Sequence, residues 1–339
     1  MATVYMLTTA DTTIDPYQRL DFDRLAAAAR NDIFQTHTLV EAPEQADIIL
    51  FVGSKYLDHR DVRAHPLLRR YRSKCFLFHT GTYIIPFLPG VYVNIPKRWY
   101  ARHRTVTGFY PKVFALDTVP FVPSWATCDY LYSFVGSTRT HPVRPRLMAL
   151  RHPRACLEDT SAPFTPAKTR QPLFMVPYTD EDRRHYNDIV IRSKFVLCPR
   201  GYGCSSWRLF ETMKAGRVPV IISDQWVPPP GPAWDHFSIH VPQKHVAQIP
   251  AILERYEPQA ADMGLLARTA WEDWFAGETC FHRTVEWCLQ LQQSRPHGGI
   301  SDVAPYLQLL RPFFARHALL PDIKQGVVGL CARHPKKDY

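Results

Sequence analysis

The chain has 339 residues, 46% of them hydrophobic, and a formal net charge of +10. That length holds two domains of ordinary size, and that apolar content makes a packed core, which excludes a disordered or fibrous chain. No apolar run approaches the ~18 residues needed to cross a bilayer, and the arginines are scattered rather than laid in a stripe with stacking aromatics, which argues against nucleic acid as a partner. A basic cleft instead suits an anionic nucleotide, and after that an anionic membrane surface. The eight cysteines, at 75, 128, 156, 198, 204, 280, 288 and 331, form no CxxC pair and read as free thiols. The start leads directly into a strand-like run with no basic region or cleavable signal, so a cytoplasmic protein is expected.

Positions 4–7 read as the first strand, and a polar loop over 8–15 carries Asp11 past its end. Phe22, Leu25, Ala26 and Ala29 form a helical stripe, and strands follow over 36–40 and 46–52. This order begins a Rossmann-like domain. Asp21-Phe22-Asp23 has the form of a metal-binding DxD, but it precedes a helical stripe, where aspartates serve as first-turn charges. A short basic helix covers 66–72, and a strand over 75–78 ends at His79. His79 is therefore placed for a cleft, where an imidazole serves as a general base; a structural histidine is the plainer alternative. Asp11 is the second candidate for the base. Residues 83–93 are apolar and aromatic, which fits either a wall of an acceptor site or core. Residues 99–104 form a basic patch with two aromatics, read either as a solvated loop or as a contact with an anionic acceptor or lipid headgroup. The first domain is placed at 1–126.

A second domain is placed at 127–300. Its first strand covers 130–135, and a glycine loop follows over 136–142. Gly136 lets backbone approach a ligand closely, and Ser137 and Arg139 can donate to oxygens. Asp180-Glu181-Asp182 opens a helix over 179–191 and again reads as first-turn charge. The most informative stretch is 189–230, a strand, a glycine turn, a helix and a second strand in one unit. Ser205 or Ser206 caps the helix, and Ala215-Gly216 ends it. The next strand, 218–222, is continuous and β-branched, as buried parallel strands are. Asp224 stands at its C-terminal end, where open parallel sheets bind ligands.

The chemistry of this unit suits a diphosphate. A helix N-terminus offers free N–H groups and a positive dipole. Ser205 and Ser206 add hydroxyls, Gly201 frees the backbone, and Arg200 and Arg208 add guanidiniums that match phosphate geometry. Glu211 lies one turn further on. It either accepts two ribose hydroxyls or pairs with Arg208 or Arg217 to stabilise the helix. The GxG of Gly201 and Gly203 lacks the third glycine of a dinucleotide fingerprint. Residues 304–320 form an amphipathic segment within a third part, 301–339, expected to pack back on the first domain or to touch a membrane.

The segment SKFVLCPRGYGCSSWRLFETMKAGRVPVIISDQWVPP resembles the signature of the exostosin family of glycosyltransferases, with Cys198, Pro199, Arg200, Gly201, Ser206, Arg208, Glu211, Gly216 and Asp224 among the matching positions. The resemblance implies an α/β fold of two facing Rossmann-like domains with a cleft between them, the GT-B architecture. It implies a nucleotide sugar, with a UDP-sugar favoured, held by the C-terminal domain, and a glycan or lipid-linked glycan as acceptor. Transfer is expected without a metal or other cofactor, with inversion, and with a base from the first domain. The competing readings are a non-catalytic nucleotide-sugar or glycan-binding protein and a different Rossmann-fold enzyme.

Overall fold

The computed structural model describes residues 1–9, 19–53, 59–82, 84–111, 118–161 and 179–294. Asp11, Cys331 and the segment 304–320 lie outside the described residues. The first half contains β1 (Ala2–Leu7), α1 (Leu20–Arg30), β2 (His37–Leu39), β3 (Ile48–Gly53), α2 (His59–Ala64), α3 (Pro66–Arg70), β4 (Cys75–His79), β5 (Gly90–Tyr92) and β6 (Thr105–Val106). Its six strands form one sheet in the order β2-β1-β3-β4-β5-β6, every neighbouring pair parallel. The second half contains β7 (Tyr130–Val135), α4 (Val143–Met148), β8 (Ala155–Glu158), α5 (Asp180–Ile191), β9 (Ser193–Pro199), α6 (Trp207–Lys214), β10 (Val218–Ile222), α7 (Trp234–Phe237) and β11 (Ile239–His240). These strands form a second parallel sheet in the order β11-β10-β9-β7-β8. Helices α8 (Ile249–Tyr256), α9 (Ala260–Trp274) and α10 (Cys280–Gln293) close the described chain. The expected α/β architecture of two Rossmann-like sheets is present.

The central strands β3, β4, β9 and β10 are buried along nearly their whole length because helices cover both sheet faces. In β3, Ile48, Leu50 and Val52 enter one cluster while Ile49 and Phe51 enter another on the opposite face. In β9, Val196 and Cys198 face the cluster shared by the two halves, and Phe195 and Leu197 face the far side of the second sheet. Each such fully buried side chain contributes about 1.5–3 kcal/mol. Residues 84–95 are core: Ile84, Ile85, Phe87, Leu88 and Tyr92 pack with Phe51 and Leu77. The basic patch at 99–104 is not wholly solvated, since Arg104 is buried and donates to the Phe87 carbonyl at 3.3 Å.

The acidic string at 180–182 serves the helix it opens. The Thr179 hydroxyl accepts from the Asp182 amide at 3.1 Å, and the Asp182 carboxylate accepts from the Thr179 amide at 2.8 Å, a reciprocal cap. Asp21 sits in the first turn of α1 as expected, but it is buried and accepts from the Thr80 hydroxyl at 2.6 Å. All seven described cysteines are free thiols.

Helix α10 packs against the first sheet, not the second. Trp287 meets Phe109 at 6.4 Å between ring centroids, and the Ile33 amide donates to Glu278, just before the helix, at 3.0 Å. The sequence groups α10 with 127–300, because an apolar stripe records that a face is buried and not what covers it.

The two sheets approach by their C-terminal edges. Beyond β5, the Asn94 side-chain Oδ1 accepts from the Ser205 amide at 3.0 Å, and the Ile95 backbone carbonyl accepts from the Cys204 thiol at 3.4 Å. The Lys97 amide donates to the Gln225 carbonyl, past β10, at 2.8 Å. A Cβ on Gly203 would lie 2.1 Å from the Asn94 oxygen, so only glycine permits this approach.

Candidate functional site at the strand switch point

The chain reverses its winding between β7 and β9, which are neighbours with β8 and β10 on opposite sides. In open parallel sheets the crevice outside the strand ends at such a reversal is where ligands bind. Gly136 and Ser137 follow β7, Arg200 and Gly201 follow β9, and α6 begins beside them.

Arg208, in the first turn of α6, is aimed into this crevice. Its Nη2 donates to the Val135 carbonyl at the end of β7, and its guanidinium lies 4.8 Å over the Phe134 ring and 5.9 Å from that of Tyr186. Its buried Nε has no hydrogen-bond partner among the described residues. A Cβ on Gly136 would stand 2.7 Å from Nη2, so this glycine admits the arginine.

Arg200 continues directly from β9, its amide bonded to the Ile222 carbonyl at 3.1 Å. Its guanidinium makes only long contacts to its own turn, 3.5 Å to Gly201 and 3.4 Å to Tyr202, and no ion pair among the described residues. Burial lowers its proton affinity from the usual arginine value, and Arg98 from the first half pushes the same way. Arginine nonetheless remains charged. Burial also lowers the His141 pKa, with Arg200 and Arg144 adding to the effect against Asp224. The crevice is therefore a desolvated region of positive potential, the environment that attracts an anion.

Arg144 holds the two flanking loops together. It donates through Nε to the Arg200 carbonyl at 2.9 Å, through Nη1 to the Ser137 carbonyl at 2.9 Å and through Nη2 to the Pro199 carbonyl at 3.3 Å. The Ser137 hydroxyl accepts from the Arg139 amide at 3.3 Å and is hydrogen-bonded to the Ser161 hydroxyl at 2.9 Å. Burial opposes ionisation of Asp159, but hydrogen bonds from Ser161 and Thr138 hold its carboxyl below the usual range. Arg139 is exposed on the loop. A Cβ on Gly201 would meet Arg144 and Thr140 at 3.3 and 3.4 Å.

Ser206 occupies the cap position of α6, but its side chain makes no capping bond; the Leu209 amide instead reaches the Ser206 carbonyl at 3.2 Å. The tight first turn takes the amide that a capping hydroxyl would have bound. Ser205 is buried in the seam. Asp224 is exposed and accepts from the Gln243 amide at 2.9 Å.

Glu211 is 4% exposed and accepts from the Tyr186 hydroxyl at 2.5 Å. Burial, with Glu211 next, raises the Tyr186 pKa well above the usual phenol, so it stays a donor. Pairing of Glu211 with Arg217 does not occur. Arg217 is wholly buried and donates to the carbonyls of Ile191, Val122, Gly216 and Ser124 at 2.7, 2.9, 3.2 and 3.4 Å. Across the seam, His79 ends β4 at 1% exposure, with its ring 6.2 Å from that of Tyr92.

Sequence reasoning missed Asn94, Tyr110 and Ser161; it reads Arg144 only as added charge beside the glycine loop and Tyr186 only as part of the apolar face of α5. Asn94 had a signal: a lone amide in an otherwise apolar stretch must find partners. It donates to the Thr80 and Gly81 carbonyls and to Tyr110 at 3.3, 3.1 and 2.9 Å.

Together, the two parallel sheets and the arginines gathered at a strand reversal define an α/β protein with a cationic crevice at the strand ends of its second sheet. Residues 127–256 match the Exostosin GT47 domain. Similar proteins include the exostosin-1 homolog of Caenorhabditis elegans, 38% identical over 74 residues, covering 21% of this chain and 19% of that one. Another is "Probable beta-1,4-xylosyltransferase IRX10" of Arabidopsis thaliana, 38% identical over 84 residues, covering 24% of this chain and 20% of that one. The chain thus spans about a fifth of the length of these curated relatives. Among solved structures, S. aureus MnaA with UDP aligns over 88% of this chain and 100% of its own at 12% identity and a TM-score of 0.40.

Proposed function

We propose that the protein is a glycosyltransferase that binds the diphosphate of a nucleoside diphosphate sugar at the β7–β9 switch point and moves the sugar to a glycan hydroxyl. The observation that carries this reading is the convergence of Arg200, Arg208, Gly136 and the start of α6 on one crevice at the strand ends. The names of the family relatives, exostosin and xylosyltransferase, support the same chemistry.

In this reading the acceptor hydroxyl attacks the anomeric carbon as the bond to the diphosphate breaks. Arg200, Arg208 and the α6 dipole stabilise the charge that develops on the leaving diphosphate, which makes a metal unnecessary for that step. A base takes the acceptor proton, and single displacement inverts the anomeric centre. That base is expected from the first sheet, with Asp11 and His79 as the candidates; the enclosure of His79 means that an acceptor reaches it only if the seam opens. UDP is the favoured nucleotide, Glu211 its ribose contact, and a glycan or lipid-linked glycan the acceptor.

The test is calorimetric titration with UDP, GDP and their sugars, followed by Arg200→Ala. Loss of the charge-assisted contact weakens the preferred nucleotide by about 2 kcal/mol, roughly 30-fold. Unchanged affinity in the variant refutes the placement. Binding with neither transfer nor acceptor-free hydrolysis favours the non-catalytic alternative.

A further inference from the structure

A second cluster of chemistry-bearing groups lies at the opposite end of the first sheet. His37 opens β2 and is 4% exposed. His282 and Glu286 are four residues apart on α10 and so share one helix face. One ligand atom from each of the three residues falls within 4.8 Å of the others. The His37 Nε2 is 2.9 Å from a Glu286 carboxylate oxygen, yet neither His37 nitrogen makes a hydrogen bond with acceptable geometry. The buried His282 Nδ1 also has no partner. The two imidazoles stand 4.9 Å apart, and Phe34 stacks on His282 at 4.2 Å.

Asp32 is the independent observation. It is 4% exposed, and neither carboxylate oxygen has a hydrogen-bond partner. A buried carboxylate without donors costs several kcal/mol unless a cation meets it. It lines, with His37, Arg30 and Gln35, a cavity of about 310 Å³, and its charge is felt at His282. Gln35, between Asp32 and His37, is held at φ 48°, the one non-glycine residue in the left-handed region among those described.

We propose that His37, His282 and Glu286 bind one divalent transition-metal ion of the zinc type, with Asp32 supplying the second negative charge beside it. Two imidazoles and a carboxylate are a borderline-soft donor set that suits zinc, cobalt or nickel and not magnesium or calcium. Two carboxylates neutralise a divalent ion in a partly buried place. Tetrahedral coordination with bonds of ~2.0 Å sets ligand atoms about 3.3 Å apart. Side-chain rotation from 4.8 Å reaches that. The competing account is a His37 imidazolium paired with Glu286. It places a positive charge beside a second imidazole and leaves Asp32 unpartnered. Arg283, next to His282, lies over the Phe34 and Trp274 rings at 5.0 and 4.2 Å, and its charge, like the metal's, opposes protonation of His282.

The ion would fasten α10, which comes from the C-terminal half of the chain, to the edge strand of the first sheet. It lies far from the switch point, so its role is to hold the fold, and the inference does not depend on the proposed sugar transfer. The test uses the full chain, stripped with EDTA and titrated with zinc and separately with cobalt in the micromolar range. One equivalent of metal should bind, with a tetrahedral cobalt spectrum lacking thiolate charge-transfer bands and a rise in melting temperature. His282→Gln and Glu286→Gln, on the partly exposed face of α10, should each weaken binding by more than about 100-fold. Thiolate bands in the parent protein, or affinity unchanged in both variants, would place the metal elsewhere and overturn the proposal. No uptake by the parent would leave only the His37–Glu286 ion pair and would overturn it too.

Discussion

Replacing Glu211 with glutamine separates three roles that its carboxylate could fill. The side chain is buried and takes the Tyr186 hydroxyl at 2.5 Å. Glutamine keeps the shape and an acceptor oxygen, so a neutral hydrogen bond of about 0.5–1.5 kcal/mol replaces a charge-assisted one of about 1.5–3 kcal/mol. The fold should therefore lose about 1 kcal/mol, roughly 2 °C of melting temperature in a chain of this size. If the carboxylate also holds the donor ribose, nucleotide affinity falls by a further 1–3 kcal/mol, about 5- to 150-fold. A 2′-deoxyribonucleotide should then be discriminated against by the parent and much less by the variant. A base role predicts normal nucleotide affinity with kcat reduced by orders of magnitude. A purely structural role predicts the small thermal shift alone. Tyr186→Phe removes the donor and keeps the charge, so it should cost stability while the ribose discrimination persists. Calorimetry with both sugars in all three proteins makes the decision. Equal ribose and deoxyribose discrimination in parent and Glu211→Gln would refute the ribose assignment.

Three further outcomes are expected. In the proposed transfer the charge on the leaving group is met by Arg200, Arg208 and a helix end, so turnover measured at low temperature should survive EDTA; loss restored by manganese or magnesium would refute this. Arg217→Met should destabilise the chain by about 3–5 kcal/mol in chemical denaturation, since it strips donors from several buried carbonyls at once, and a loss under about 1 kcal/mol would contradict the network. Glu257 accepts from Arg154 at 2.6 Å and Lys194 at 2.7 Å, and chiefly the Arg154 bond holds its carboxyl down to about 2. A depressed carboxyl stabilises the fold above its unfolded value of 4.5 and loses that contribution as pH falls toward 2. Allowing for solvent screening, Glu257→Gln should cost about 1–2 kcal/mol at neutral pH and close to nothing near pH 2; a pH-independent difference would show that the pair is not the cause.

The sequence by itself determined the elements that rest on local chemistry. The strand-turn-helix-strand unit of β9, α6 and β10 was legible because its apolar runs, helical stripe and Gly216, with φ 69° at the helix end, all act within a few residues. The reciprocal cap at Thr179 and Asp182 was legible as first-turn charge for the same reason. Tertiary structure alone decided which elements became neighbours. The order β8-β7-β9 brings the Gly136 loop beside Arg200, and Arg144 then bonds residues 55 and 56 positions away. Glu211 could be seen to need a partner, but Tyr186 rather than Arg217 filled that place because α5 packs there and Arg217 turns to carbonyls. Asn94 and Ser205, 111 positions apart, meet only because the two sheets face by their C-terminal edges. Periodicity records that a face is buried and a strand end is exposed; which distant group meets it depends on long-range packing, for which a linear pattern carries no term.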